Sequence, residues 1–266
     1  MPRLVYNPAT MNWVPGLVSV SFRPLSVPQI VELASRAQLQ AIEWGGDVHV
    51  PPGDLNAAKN ALRNTSERGL KVNAYGSYYR VAGAEADFSP VFESALALEV
   101  KQIRVWAGNV WTRDASAEHR KNIVNDLRRI CELSAKAGVT IAMEFHDGTL
   151  NDSAEQSVWL INEVRAENLR TYWQPRHGFS IEANLQQLKL VKPYLADVHV
   201  FHWWPTHETR WPLAAGAENW AAYLREVSAG SNRTVHAMLE FVKGDDAEQL
   251  DQDSRTLREL LSDLGR

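Results

Sequence analysis

The chain has 266 residues, 45% of them hydrophobic, with a formal net charge of -4 and one cysteine. That length suits one large α/β domain or two small ones; the intermixed charges offer no broad field for a polyanion such as nucleic acid, and no apolar run approaches the ~20 residues of a membrane span. The lone thiol, Cys131, excludes an internal disulfide framework and reads as a buried residue of an amphipathic stretch; with an N-terminus lacking a signal peptide's apolar core, this predicts a cytoplasmic protein.

Residues 1–16, punctuated by Pro8 and Pro15-Gly16, read as an irregular lead-in, and 17–22 as the first strand. Ser26 caps a helix with Pro28 in its first turn and an apolar stripe of Ile30, Val31 and Leu33. A short second strand, 41–44, runs into a Gly-Gly-Asp turn and His49; Asp54 caps the next helix, which ends at Gly69. Strand three is 71–75, a helix covers 88–98, and strand four is 102–106. The long helix 116–137 carries Ile123, Val124, Leu127, Ile130 and Cys131 mostly along one side and stops at Gly138. Helix-Gly-strand at Gly69 and Gly138 is what a left-handed cap produces where the chain turns back into a sheet.

Strand five, 139–143, is apolar on both faces, as in a parallel sheet covered on both sides, and runs into Glu144-Phe145-His146-Asp147. A helix at 153–164, strand six at 169–174, a helix at 181–191 closed by Pro193 and strand seven at 195–201 follow. A long loop, 202–217, leads to a helix at 218–228; strand eight, 234–241, repeats the pattern of strand five with Met238-Leu239-Glu240-Phe241. Asp245 or Asp246 opens a last helix carrying Leu250, Leu257, Leu260, Leu261 and Leu264. Eight strand-helix units with no low-complexity linker predict one domain over 1–266, a single (β/α)8 TIM barrel. The rival doubly wound sheet usually carries a Gly-rich phosphate turn after its first strand; here that turn is Phe22-Arg23-Pro24-Leu25.

In such a barrel the active site lies at the C-terminal strand ends. Glu144, Gln174, His199 and Glu240 stand there on four consecutive strands. Two carboxylates, an imidazole and an amide carbonyl make a hard, oxygen-rich site for Mn²⁺ or Mg²⁺, with Co²⁺ or Zn²⁺ as alternatives. Each glutamate could instead pair with an arginine or lysine. Glu43, His49, Trp106, His177, His202 and Lys243 also fall at this rim, and Arg210 lies in the long loop; these are the candidates for substrate contacts. Trp44, Trp106, Trp173, Trp203 and Trp204 lie at or just past strand ends, where an aromatic face suits the C–H face of a sugar. Ordinary aromatic packing at the rim is the alternative.

The runs Ile42-Glu43-Trp44-Gly45-Gly46-Asp47-Val48-His49, Ile141-Ala142-Met143-Glu144, Val198-His199-Val200 and Leu239-Glu240 resemble the xylose isomerase-like barrel superfamily of sugar-phosphate isomerases and epimerases, inosose isomerases and dehydratases, and endonuclease IV. The resemblance covers nearly the whole chain. It implies a metal held by Glu144, the position of Gln174, His199 and Glu240. The chain departs from the pattern at strand six, where Gln174-Pro175-Arg176-His177 replaces Asp-x-x-His, and in the run His199-Val200-Phe201-His202, where an acid often follows the family histidine.

What the resemblance implies is an isomerase or epimerase of a sugar or sugar phosphate working through an enediolate. Glu144 and Glu240 would move the proton from opposite faces, while His177 and Arg210 hold hydroxyls or a phosphate. A lyase or dehydratase acting on a keto-sugar or inosose uses the same enolate. A catalytically inactive sugar-binding barrel is the reading that Gln174 motivates, and the net charge argues against an abasic-site endonuclease. Relatives of this kind are often dimers or tetramers, so a homo-oligomer is expected by resemblance alone.

Overall fold

The computed structural model describes residues 11–83, 87–230 and 232–264. Its strands are β1 (Asn12–Val18), β2 (Ala41–Gly45), β3 (Lys71–Arg80), β4 (Gln102–Trp106), β5 (Thr140–Met143), β6 (Leu169–Trp173), β7 (Leu195–Val200), a short pair β8 (His202–Trp203) and β9 (Arg210–Trp211), and β10 (Thr234–Leu239). Eight of them close into one ring, in the order β1-β10-β7-β6-β5-β4-β3-β2, all parallel to their neighbours. The helices α1 (Val27–Arg36), α2 (Leu55–Glu67), α3 (Ser89–Ala97), α4 (Ala117–Ala135), α5 (Ala154–Val164), α6 (Ile181–Val191) and α7 (Ala217–Ser228) connect successive strands of the ring and α8 (Ala247–Asp263) follows β10, giving a single (β/α)8 barrel.

Local chemistry sets these helices where the sequence places them. The side chains of Asp54, Ser116, Ser153 and Ser180 each accept a backbone N–H of the first turn, and the Ser26 N–H donates to Gln29 at 2.8 Å. Gly69 and Gly138 adopt φ of +72° and +66°, the left-handed conformation that returns the chain to the sheet. On α4, Ile123, Val124, Leu127, Ile130 and Cys131 are all buried against the barrel, each large side chain contributing on the order of 1.5–3 kcal/mol. Burial pushes the Cys131 thiol up to about 12, which leaves it an inert packing group.

Two expectations need correction. The expected lead-in, so far as it reaches residues 12–16, is strand, while 19–22 form a 3-10 turn; residues 1–10 lie outside the described residues. Pro15 and Gly16, read as breakers, fit the strand: the Pro15 carbonyl accepts the Gln40 N–H at 2.8 Å, and a Cβ on Gly16 would stand 2.5 Å from Met238 Sδ. The expected long loop at 202–217 holds the antiparallel pair β8–β9 and a 3-10 turn at Leu213–Gly216.

Inside the ring the core is polar. Asp197, near the start of β7, accepts the His236 N–H at 2.7 Å and the Gln102 amide at 2.7 Å. The Gln102 amide also meets the Tyr172 hydroxyl at 2.8 Å, and that hydroxyl donates to Glu43 at 2.9 Å. This ladder leads up the barrel axis to the charged groups at the strand ends.

Candidate active site

Glu144 is the first residue past β5, its N–H bonded to the Val105 carbonyl at 2.8 Å; Glu240, the first past β10, bonds the Val200 carbonyl at 3.0 Å. These bonds extend the ladders by one residue and turn both carboxylates into the ring. His199 lies within β7 and Gln174 just past β6. The four expected ligands do come together. Gln174 Oε1, Glu144 Oε1 and Glu240 Oε2 stand 3.2, 3.3 and 3.5 Å from one atom, His199 Nδ1. Glu43, expected only as a substrate contact, joins them from β2, its Oε2 3.5 Å from His199 Nε2.

The sequence reading missed the cation among them. Arg104, from the middle of β4 and 2% exposed, places Nη1 2.9 Å from Glu144 Oε2, 3.4 Å from Glu43 Oε1 and 3.9 Å from Glu240 Oε1. The expectation that a glutamate could pair with an arginine is therefore realised at Glu144, alongside the convergence on His199. A charged residue in the short strand Gln102-Ile103-Arg104-Val105-Trp106, on the same face as Gln102, was the signal available. Tyr172, also missed, packs against the His199 ring at a tilt of 46°, with ring centroids 4.7 Å apart.

The environment makes the two glutamates unequal. Burial pushes Glu144 up, but Arg104 and then His199 overcome it and hold its carboxyl down to about 2. Glu240 is raised, first by burial, with Glu144 and Glu43 adding to it against His199 and Arg104. Burial disfavours a charge on His199, yet Glu240 and Glu144 keep it well above the usual imidazole range.

The donor set fits a hard divalent cation. Ligands about 2.1 Å from one tetrahedral or octahedral centre stand roughly 3.0–3.4 Å apart, close to the spacing around His199 Nδ1. With the His199 imidazole neutral, as a metal ligand must be, three buried carboxylates against one guanidinium leave two negative charges, the charge of one such ion. Beyond their ion contacts to Arg104 Nη1, Glu43 Oε1 and Glu144 Oε2 are buried without a hydrogen-bond partner among the described residues. Among those residues no three His, Cys, Asp or Glu side chains alone make a metal cage; the set here depends on the Gln174 amide, with Arg104 drawing on Glu144.

A cavity of about 480 Å³ opens beside Gln174, lined among others by Trp111, His146, Asp147, Arg176, His177 and Trp203. His177, an expected substrate contact, faces it with a buried Nδ1 that has no partner among the described residues, and its ring stacks 5.3 Å from Trp203. Trp106 packs at 4.6 Å on His146, with Arg80 4.6 Å from its ring.

Other expected contacts are engaged elsewhere. His49 is buried with Nδ1 3.0 Å from Ser19 Oγ and Nε2 3.0 Å from the Leu25 carbonyl, so it ties the β1 and β2 loops together. Arg210 is paired with Asp245 at 2.7 Å and lies over Trp203 and Phe241, and Lys243 lies over Trp211. His202 packs so closely on Gly216 that a Cβ there would be 2.4 Å from its Nδ1. Trp44 and Trp173 are not at the mouth. Strand alternation turns them outward, where Trp44 bonds Thr65 of α2 and Trp173 packs on Trp220 and Tyr223 of α7.

The sequence model of the xylose isomerase-like TIM barrel matches residues 31–260. A 3-dehydroshikimate dehydratase of Bacillus anthracis is 25% identical over 196 residues, covering 69% of this chain and 70% of the relative. Among solved structures, a probable 3-dehydroshikimate dehydratase of petrobactin synthesis from Bacillus anthracis superposes with a TM-score of 0.74 at 20% identity, covering 93% of this chain and 98% of the other. A D-psicose 3-epimerase crystallised in the presence of D-fructose gives 0.68 at 14%, over 95% and 100%. A xylose isomerase-like barrel of Mycobacterium smegmatis in complex with magnesium gives 0.72 at 10%, over 95% and 97%. At these identities the structural likenesses establish the fold alone.

Proposed function

The chain belongs to the xylose isomerase-like TIM barrel family, and from that premise we propose an enzyme that removes the proton beside the carbonyl of a small polyhydroxylated ketone and expels a β-hydroxyl as water. The observation that carries this reading is the inequality of the two glutamates: Arg104 lies 2.9 Å from Glu144 but 3.9 Å from Glu240. Epimerisation needs two groups that both give and take a proton. Held ionised by a buried guanidinium, Glu144 is a poor donor, which leaves one competent base. Elimination needs only one. Glu240 takes the α-proton, electrons flow into the carbonyl, then return to restore it and form the α,β double bond as the β C–O bond breaks, and the carboxylic acid of Glu240 gives its proton to the departing hydroxyl on the same face. Water leaves and Glu240 is again a carboxylate.

Glu144, Gln174, His199 and Glu240 are the residues proposed to hold Mn²⁺ or Mg²⁺, which when bound polarises the carbonyl and stabilises the enolate charge. His177 offers its free Nδ1 to a substrate hydroxyl in the cavity, and Trp203 and Trp111 supply apolar faces. The dehydratase name of the relative supports this order of preference. Isomerisation or epimerisation of a sugar or sugar phosphate, the first expectation from the sequence, stands as the second reading because both carboxylates lie within 3.5 Å of His199 Nδ1.

Purified protein supplied with Mn²⁺ or Mg²⁺ and offered 3-dehydroshikimate and a panel of ketoses in D₂O separates the two. A product lighter by one water supports elimination. Deuterium entering a ketose whose mass otherwise stays unchanged supports epimerisation. Absence of both across the panel refutes the enolate reading.

A further inference from the structure

We propose that the substrate is an anion, and that Arg176 captures its carboxylate at the cavity mouth by exchanging it for Asp147. This rests on the enolate reading for what happens after binding, but not for the binding itself. Arg176 Nη2 donates to Asp147 Oδ1 at 2.5 Å, and both residues line the 480 Å³ cavity. The pair bridges two loops, the one after β5 that carries Glu144 and the one after β6 that carries Gln174. Its members differ in how firmly they are held. The Arg176 backbone N–H donates to the buried side chain of Asn184 on α6 at 2.8 Å, and the Asn184 amide returns to the Arg176 carbonyl at 3.3 Å. Asp147 is the more open partner, its side chain 48% exposed against 22% for Arg176. The cation is therefore anchored and its present partner is at the solvent edge.

Arg176 is the one arginine or lysine among the described residues that line the cavity. His146, His177 and His207 face the same space. Its other carboxylate, Asp152, is committed to the Thr112 N–H at 2.9 Å and the Thr112 hydroxyl at 2.7 Å. An incoming carboxylate can match the planar fork of a guanidinium with two parallel bonds. It offers Arg176 the same charge that Asp147 does, and Asp147 can return to water at low cost because it is half exposed already. A neutral polyol has nothing to exchange and leaves the ion pair closed.

Two non-reactive probes test this without turnover: quinate, a polyhydroxylated cyclohexane carboxylate, and myo-inositol, its neutral counterpart, each titrated by calorimetry and by the intrinsic tryptophan fluorescence to which Trp111 and Trp203 of the cavity contribute. Quinate is expected to bind at least about tenfold more tightly than inositol, a difference of about 1.4 kcal/mol. Arg176→Gln is expected to abolish that preference, and Asp147→Asn, which removes the competitor, to strengthen quinate binding severalfold. Equal binding of the two probes, binding of neither, or a preference that survives Arg176→Gln overturns the proposal. If quinate binds as expected while no ketone is dehydrated or exchanged, carboxylate capture stands and the enolate reading falls.

Discussion

Arg104 Nη1 lies 2.9 Å from Glu144 Oε2 in a site that excludes solvent from both, with Glu43 and Glu240 completing a ring of acids around one guanidinium. The arrangement holds together only as a set. Replacing Arg104 by methionine keeps much of its volume but leaves three carboxylates with His199 as the one positive group beside them among the described residues. Stability should fall by about 3–5 kcal/mol, as for other buried pairs broken from one side. Denaturant unfolding checks this, and added Mn²⁺ should recover part of the loss.

Glu240→Gln removes the proposed base with almost no change of shape. Turnover or proton exchange should drop by roughly 10²–10⁴-fold, while quinate binding changes little, because Arg176 and not Glu240 holds the carboxylate. Rate measurements beside the fluorescence titration test the split.

Gln174→Asp restores a charge at the one neutral donor around His199 Nδ1. Affinity for Mn²⁺ should rise by about tenfold or more, since ligand charge sets the strength of hard-cation sites. Calorimetric titration of the metal-stripped protein and its variant reads this directly. Stripping metal from the wild type should remove activity but leave the barrel's circular dichroism intact, because Arg104 still bridges the acids.

His49 gives the fold a dependence on pH. Burial lowers its pKa below the ordinary value, opposed by the bond to Leu25, so the folded chain holds it neutral. Below about pH 6.5 the unfolded chain binds a proton that the folded chain does not, and stability falls as pH is lowered through that value. Thermal melts at about pH 7.5 and about pH 5.5 should show a smaller pH-dependent drop for His49→Gln than for wild type, on top of a lower absolute melting point.

Gly76 has no side chain where the acids crowd. A Cβ there would stand 2.6 Å from Glu43 Oε1 and 3.2 Å from Arg104 Nη2. Gly76→Ala should cost about 1–3 kcal/mol and loosen Glu43, which urea unfolding and metal titration of the variant measure.

What the sequence made legible was what is local. Asp54 caps a helix because its carboxylate stands directly ahead of the first turn and reaches the Ala57 N–H, and Glu144 and Glu240 stand out because each ends an otherwise apolar strand. What it hid depends on contacts between distant segments. Arg104 matters through acids 61 residues before it and 40 after it, reached only once the ring closes. Trp44 and Trp173 adjoin strand ends, but position along a strand does not give the face, and both point to the helices. β1 was misplaced because Pro15 and Gly16 are breakers by propensity, and only the tight approach of Met238 shows why a glycine belongs there.

Ring closure brings β10 against β1 in register from Asn12↔Thr234 to Leu17↔Leu239, and Glu240 is the next residue. During synthesis the proposed base therefore emerges more than 200 residues after the strand that must receive it. A nascent chain, or a proteolytic fragment that stops before residue 234, carries Glu43, Arg104, Glu144 and His199 but lacks the carboxylate opposite them. Any catalytic competence must appear in one late event, when the tail docks, and not accumulate as the ribosome advances.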